Sequence, residues 1–135
     1  MAQSKSAYTN DQNMAINGYD VVGYFTDARA ERGSKNFSAA HKGVTYYFSN
    51  AEHKAAFLKN PDKYVPQYGG YCPFAMAAKN AKVASNPGTF KLYNGKLYLF
   101  FNDYYEGTPF NTIIPWNNDE ANMKKNADKN WTAMK

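Results

Sequence analysis

Cys72 is the sole cysteine of the chain and stands in the run Gln67-Tyr68-Gly69-Gly70-Tyr71-Cys72-Pro73-Phe74. Upstream, Tyr46-Tyr47-Phe48-Ser49 leads into Ala51-Glu52-His53, which carries one of only two histidines. A thiolate and a neutral imidazole are a ligand set for soft or borderline ions such as Cu(I) and Zn(II). Cys72 and His53 are therefore the candidate metal ligands. Two ligands suffice for linear Cu(I) but fall short of the four usual at structural zinc, so a further ligand, a protein partner or an exogenous group would complete the shell. The second chemistry open to these residues is thiol redox, in which Cys72 is catalytic and His53 its base or ion partner. The chain holds no second cysteine to resolve a sulfenic acid, so an external thiol or a second protomer would be required. His41 reads as an exposed residue beside a turn. Asp20 reads as a turn or cap residue whose carboxylate could also orient a histidine.

These side chains need elements to position them. Residues 1–14 are small and polar and predict a flexible arm; residues 15–135 predict one domain. Tyr19 to Phe25 is apolar and β-prone, which predicts a short buried strand or extended segment with Asp20 at its mouth. Two β-prone runs flank Lys42-Gly43 and predict a hairpin from Asn36 to Phe48, with Val44, Tyr46 and Phe48 on one face. Ser49 has the character of an N-cap, and Glu52 three residues on completes a capping box, so a helix is expected from about Asn50 to Asn60. Pro61 ends it or starts a new turn. Pro73 suits the first position of a further helix, which leaves Cys72 at its cap, where the partial positive charge of the helix terminus favours a thiolate.

Asn94-Gly95 between Thr89-Tyr93 and Lys96-Phe101 is the clearest hairpin signal in the chain. The stretch from Asn102 to Trp116 reads as irregular. Asp119 to Trp131 predicts a helix with Met123, Ala127 and Trp131 as a packing stripe. No internal repeat stands out. The class expected is α+β, a small, mostly antiparallel sheet from two hairpins plus a short strand, packed with about three helices.

Composition narrows the partners. With 135 residues, 44% apolar and 17% aromatic, the chain can bury a real core. The net charge of +5 is scattered apart from Lys124, Lys125, Lys129 and Lys135, which argues for a solvated lysine-rich helix and against a nucleic-acid surface. No run is long and apolar enough to insert in a membrane. The many tyrosines also suit a non-catalytic interaction domain, with a protein partner or a homodimer. No nucleophile elbow, phosphate-binding glycine loop or His-Glu-x-x-His zinc helix is present, so the residues argue more against an enzyme than for one. The start lacks the apolar core of a signal peptide, yet a lone Met before Ala2-Gln3 suits an expression start placed where a leader was removed. A periplasmic or otherwise exported location is the expectation, a cytoplasmic one the alternative.

The chain resembles the YHS-domain family, particularly its small stand-alone group labelled YHS domain-containing (seleno)protein. The matching residues are Asn17-Gly18-Tyr19-Asp20-Val21-Val22-Gly23-Tyr24-Phe25, Gly33-Ser34, Tyr46-Tyr47-Phe48-Ser49 through His53, Phe57, Asn60-Pro61-Asp62-Lys63-Tyr64, Gln67 to Cys72, and Asn94 to Leu99. The resemblance implies a metal-binding or metal-handling module. Where modules attached to metal transporters carry cysteines, this chain has Gly23, Ser49 and His53. In the stand-alone group the Cys72 position is sometimes selenocysteine, which implies a reactive or ligating chalcogen.

Overall fold

Three two-residue turns with left-handed backbone, Lys42-Gly43, Asn94-Gly95 and Glu106-Gly107, fold much of the chain into antiparallel hairpins. Turns of this hand match the right-handed twist of the strands they join. The structure, a computed structural model, describes residues 7–9 and 14–134. It is α+β, with strands β1 (Ser34–His41) and β2 (Val44–Phe48), β3 (Phe90–Tyr93) and β4 (Lys96–Leu99), and β5 (Asn102–Tyr105) and β6 (Thr108–Asn111) in three two-stranded sheets. The helices are α1 (Val21–Thr26), α2 (Ala51–Lys59), α3 (Pro61–Tyr64), α4 (Pro73–Lys79), α5 (Ile113–Asn118) and α6 (Glu120–Met134).

Four expectations are corrected. The β-prone run after Tyr19 is helix α1, because the Asp20 carboxylate accepts from the amides of Val22 and Gly23 and caps a first turn that side-chain propensity alone would not start. The cap of α2 is Asn50, whose side chain accepts from the His53 amide at 2.8 Å; Ser49 is drawn away to Asp20. The stretch after Asn102 is a third hairpin, β5 and β6, turned by Glu106-Gly107, a weaker signal than Asn-Gly. Of the expected flexible arm, the described residues are docked: the Tyr8 amide donates to Gly69 O at 2.8 Å, Tyr8 and Tyr71 rings lie 5.8 Å apart, and Met14 bridges to Thr45. The rest of that arm lies outside the described residues.

The absence of a repeat is also corrected. Every residue of 16–50 with left-handed backbone has a left-handed counterpart 52 positions on, as Ile16 has in Tyr68. The pairs are Ile16 and Tyr68 (φ 54° and 56°), Asn17 and Gly69, Gly18 and Gly70, Ala28 and Asn80, Lys42 and Asn94, and Gly43 and Gly95. The register repeats with the same spacing, since Ser38↔Tyr47, Ala39↔Tyr46, Ala40↔Thr45 and His41↔Val44 become Phe90↔Leu99, Lys91↔Tyr98, Leu92↔Leu97 and Tyr93↔Lys96. So do the bonds that seat the helices: Asp20 N to Glu31 O at 2.8 Å and Cys72 N to Val83 O at 2.9 Å. The domain therefore holds two copies of one unit, left-handed turn, capped helix, hairpin, at residues 16–50 and 68–102. Only Gly18, Tyr19, Gly43, Tyr46, Phe48 and Asn50 are matched by identical residues at that spacing, which is why the repeat is hidden in the sequence.

The copies diverge beyond their hairpins. After Asn50 the first enters α2 at once. The second loops out β5 and β6, and Thr112 returns to Phe101 with its amide at 3.0 Å and its hydroxyl at 2.8 Å from the Phe101 carbonyl, before α5 begins. The second hairpin divides the core. Leu97 and Leu99 pack with Val21, Val22, Tyr24, Phe48 and Phe57, whereas Tyr98 and Phe100 pack with Tyr68, Met76, Trp116 and Ala127. Because side chains alternate along a strand, a strand buried on both faces serves two clusters.

Candidate functional site

Asp20 is completely buried, and the polar groups around it account for that. One carboxylate oxygen, Oδ1, accepts from the amides of Val22 at 2.9 Å and Gly23 at 3.2 Å. Oδ2 accepts from the Ser49 amide and hydroxyl, both at 2.8 Å, and from His53 Nδ1 at 2.6 Å. A carboxylate is tolerated in a core when its lone pairs are met by donors in this way. The cap of α1 is thus tied to the first turn of α2.

His53 is held from both sides. Its amide is bound by Asn50, and its ring is 12% exposed with Nδ1 against Asp20. A carboxylate at Nδ1 fixes the neutral ring as the Nδ1–H tautomer, which leaves the Nε2 lone pair for another partner. Thr26 Oγ1 lies 3.2 Å from Nε2, but its single proton is shared among Nε2, Val22 O at 3.3 Å and Asp27 Oδ1 at 3.2 Å. The arrangement is an oriented imidazole with a weakly engaged nitrogen, suited to ligating an ion or exchanging a proton.

Cys72 occupies the counterpart of Asp20 in the second copy, and it too is fully buried. It precedes α4 as expected, with Pro73 in the first turn, but its side chain caps nothing. Sγ lies 3.2 Å from Thr112 Oγ1. The Thr112 hydroxyl proton is committed to Phe101 O at 2.8 Å, which leaves its oxygen to accept from the Cys72 S–H. The thiol is closed off from solvent, a setting that slows its reaction with reagents.

The structure gives the two expected ligands separate surroundings. His53 meets Asp20, Ser49 and Thr26; Cys72 meets Thr112; no residue is shared. The repeat supplies the reason, because the side chain before the first helix of each copy turns to the start of the helix beyond that copy's hairpin. Among the described residues no three His, Cys, Asp or Glu side chains come together to hold a metal ion. The hydrogen bonds of His53 and of Cys72 thus run to different partners.

Sequence reasoning found Asp20 as an orienting carboxylate but missed Ser49, Thr26 and Thr112 as partners. Their signal is weak, since small hydroxyl residues are common everywhere. His41, expected in an exposed turn, is instead tucked edge-on against Phe57 with ring centroids 5.8 Å apart, and Nε2 is 3.4 Å from Asp62 Oδ1. No helix among the described residues is long and apolar enough to cross a membrane. Compared with family models, curated proteins and solved structures, the chain matches none.

Proposed function

We propose that the protein is a small binding module, of the YHS kind its motifs resemble, that presents the His53 imidazole to a soft or borderline transition metal ion, copper or zinc. The remaining ligands come from outside the chain. The observation that supports this reading is the 2.6 Å contact between His53 Nδ1 and the buried Asp20 carboxylate. Such a pairing orients a ligating ring and fixes its tautomer. Asp20, Ser49 and Asn50 hold the ring still, and the hydroxyl of Thr26 is the group an ion would displace from Nε2. A single-imidazole site binds weakly and exchanges quickly, which suits handling an ion more than storing it. Cys72 has no part in this reading.

Titrating the metal-free protein with Cu(I) and with Zn(II), alongside His53→Ala, His53→Asn and Cys72→Ala, tests it. We expect both histidine variants to lose affinity by at least about tenfold, and Cys72→Ala to bind like the parent. Equal affinity of parent and histidine variants would exclude His53 as a ligand. Loss of affinity in Cys72→Ala would restore a thiolate centre and overturn the single-imidazole reading.

A further inference from the structure

Between the two copies lies a cavity of about 330 Å³, independent of the His53 site. The equivalent left-handed turns of both copies border it through Ile16 and Gly69, and the polypeptide joining the copies closes it with Asp62, Val65 and Pro66. Ligand pockets favour such seams between packed units, and this volume falls in the range that takes a small organic molecule. Its wall is aromatic and aliphatic, with Tyr8, Val44, Tyr46 and Trp131; its polar end is His41, Lys42 and Asp62.

The polar end carries an unmet demand. His41 Nε2 is buried and has no hydrogen-bond partner, a state found in no other side-chain nitrogen or oxygen among the described residues. Asp62 Oδ1, on a side chain that is 76% exposed, lies 3.4 Å away, near enough for charge attraction but without the alignment of a hydrogen bond. A buried polar group left unpaired is costly, and an orphan of this kind on a residue that lines a cavity is one a ligand atom can satisfy once Asp62 swings aside.

From these features we infer that the seam is a binding site for a small aromatic carboxylate. The ring packs against Tyr46, Val44 and Trp131, and the carboxylate accepts from His41 Nε2–H with the Lys42 ammonium nearby. Asp62 is a loose placeholder for that carboxylate and a like charge against it. The two neighbours therefore have opposite effects on affinity: His41 favours the ligand and Asp62 opposes it.

The probe is phenylacetate, with phenylacetamide as its uncharged counterpart and acetate as the counterpart without a ring. Binding is monitored by amide chemical shifts of the labelled full chain and by calorimetry. We expect shifts at Ala15, Ile16, Val44 and Gly69 at millimolar phenylacetate, and weaker ones with either counterpart. His41→Phe should weaken binding by about tenfold, and Asp62→Asn should strengthen it several-fold. Lys42→Ala, on an exposed turn, should weaken it without disturbing the fold and stands in if His41→Phe fails to fold. Shifts elsewhere, no saturable shifts, or affinity indifferent to Lys42 and Asp62 would overturn the site. None of these results bears on metal binding at His53.

Discussion

At the level of single residues, the two copies place different chemistry in one position. The residue before the first helix of each copy is fully buried, Asp20 in one and Cys72 in the other. Asp20 gathers five donors and orients a histidine; Cys72 hydrogen-bonds a threonine hydroxyl that is already anchored to Phe101. Alkylation of native Cys72 should therefore be slow and become fast in denaturant, as read by thiol-reagent kinetics with and without urea. Rapid modification of the folded protein would show that the thiol opens to solvent. Removing the Asp20 carboxylate is expected to be far more damaging than removing the thiol, because Ser49 and the α1 amides would be left buried without an acceptor.

At the level of elements, turns decide the architecture. The second copy turns its hairpin with Asn94-Gly95, the first with Lys42-Gly43, at nearly the same backbone angles. Asparagine tolerates the left-handed region better than lysine, so Lys42→Asn should raise stability by about 0.5 kcal/mol in urea unfolding. Gly33 is fixed for another reason. An added Cβ would stand 2.5 Å from the Tyr47 carbonyl carbon and 2.6 Å from the Phe48 nitrogen, both backbone atoms of the facing strand. Gly33→Ala should cost about 2–3 kcal/mol in the same measurement, an overpacking that no side-chain rotation relieves. The second copy has Ser85 there, and its hydroxyl meets the Gly70 carbonyl at 2.7 Å where the Gly33 amide meets Gly18 at 2.8 Å.

At the level of the whole molecule, long-range ties hold the C-terminal helices to the second copy. Asn130 donates to the Met76 carbonyl at the heart of α4, and Tyr68 donates to Asp128 at 2.6 Å. Burial and this hydrogen bond push the Tyr68 phenol well above its ordinary range. Glu120, at the start of α6, accepts from Trp116 Nε1 at 2.8 Å and pairs with Lys91 of β3 at 2.6 Å. Burial raises its carboxyl, but the bonds from Lys91 and Trp116 outweigh that and hold it below the usual value. A carboxyl lowered by folding adds stability above its unfolded pKa and loses it as pH falls through the folded value. Glu120→Gln should therefore cost about 1 kcal/mol at neutral pH and nothing once both forms are uncharged in acid, as denaturation measured from neutral to acidic pH would show.

Legibility tracked the range of the interactions. Asn94-Gly95, Lys42-Gly43, the helix after Ser49, the break at Pro61 and the Met123, Ala127, Trp131 stripe could be read because each rests on contacts within a few residues. The α+β class came from them. Helix α1 was misread because its cap carboxylate is stabilised from Ser49 and His53, far along the chain, and that support cancels a local β preference. The partners of Cys72 and His53 were hidden for the same reason. Both residues read as chemically able, but only packing decided that each would face its own copy's second helix, and a repeat carried by backbone angles leaves few marks in side chains. Local turns and periodicities were written in the order of the residues alone; partners were chosen by the folded chain, because a hydrogen bond between distant segments is set by how the two halves close around β4.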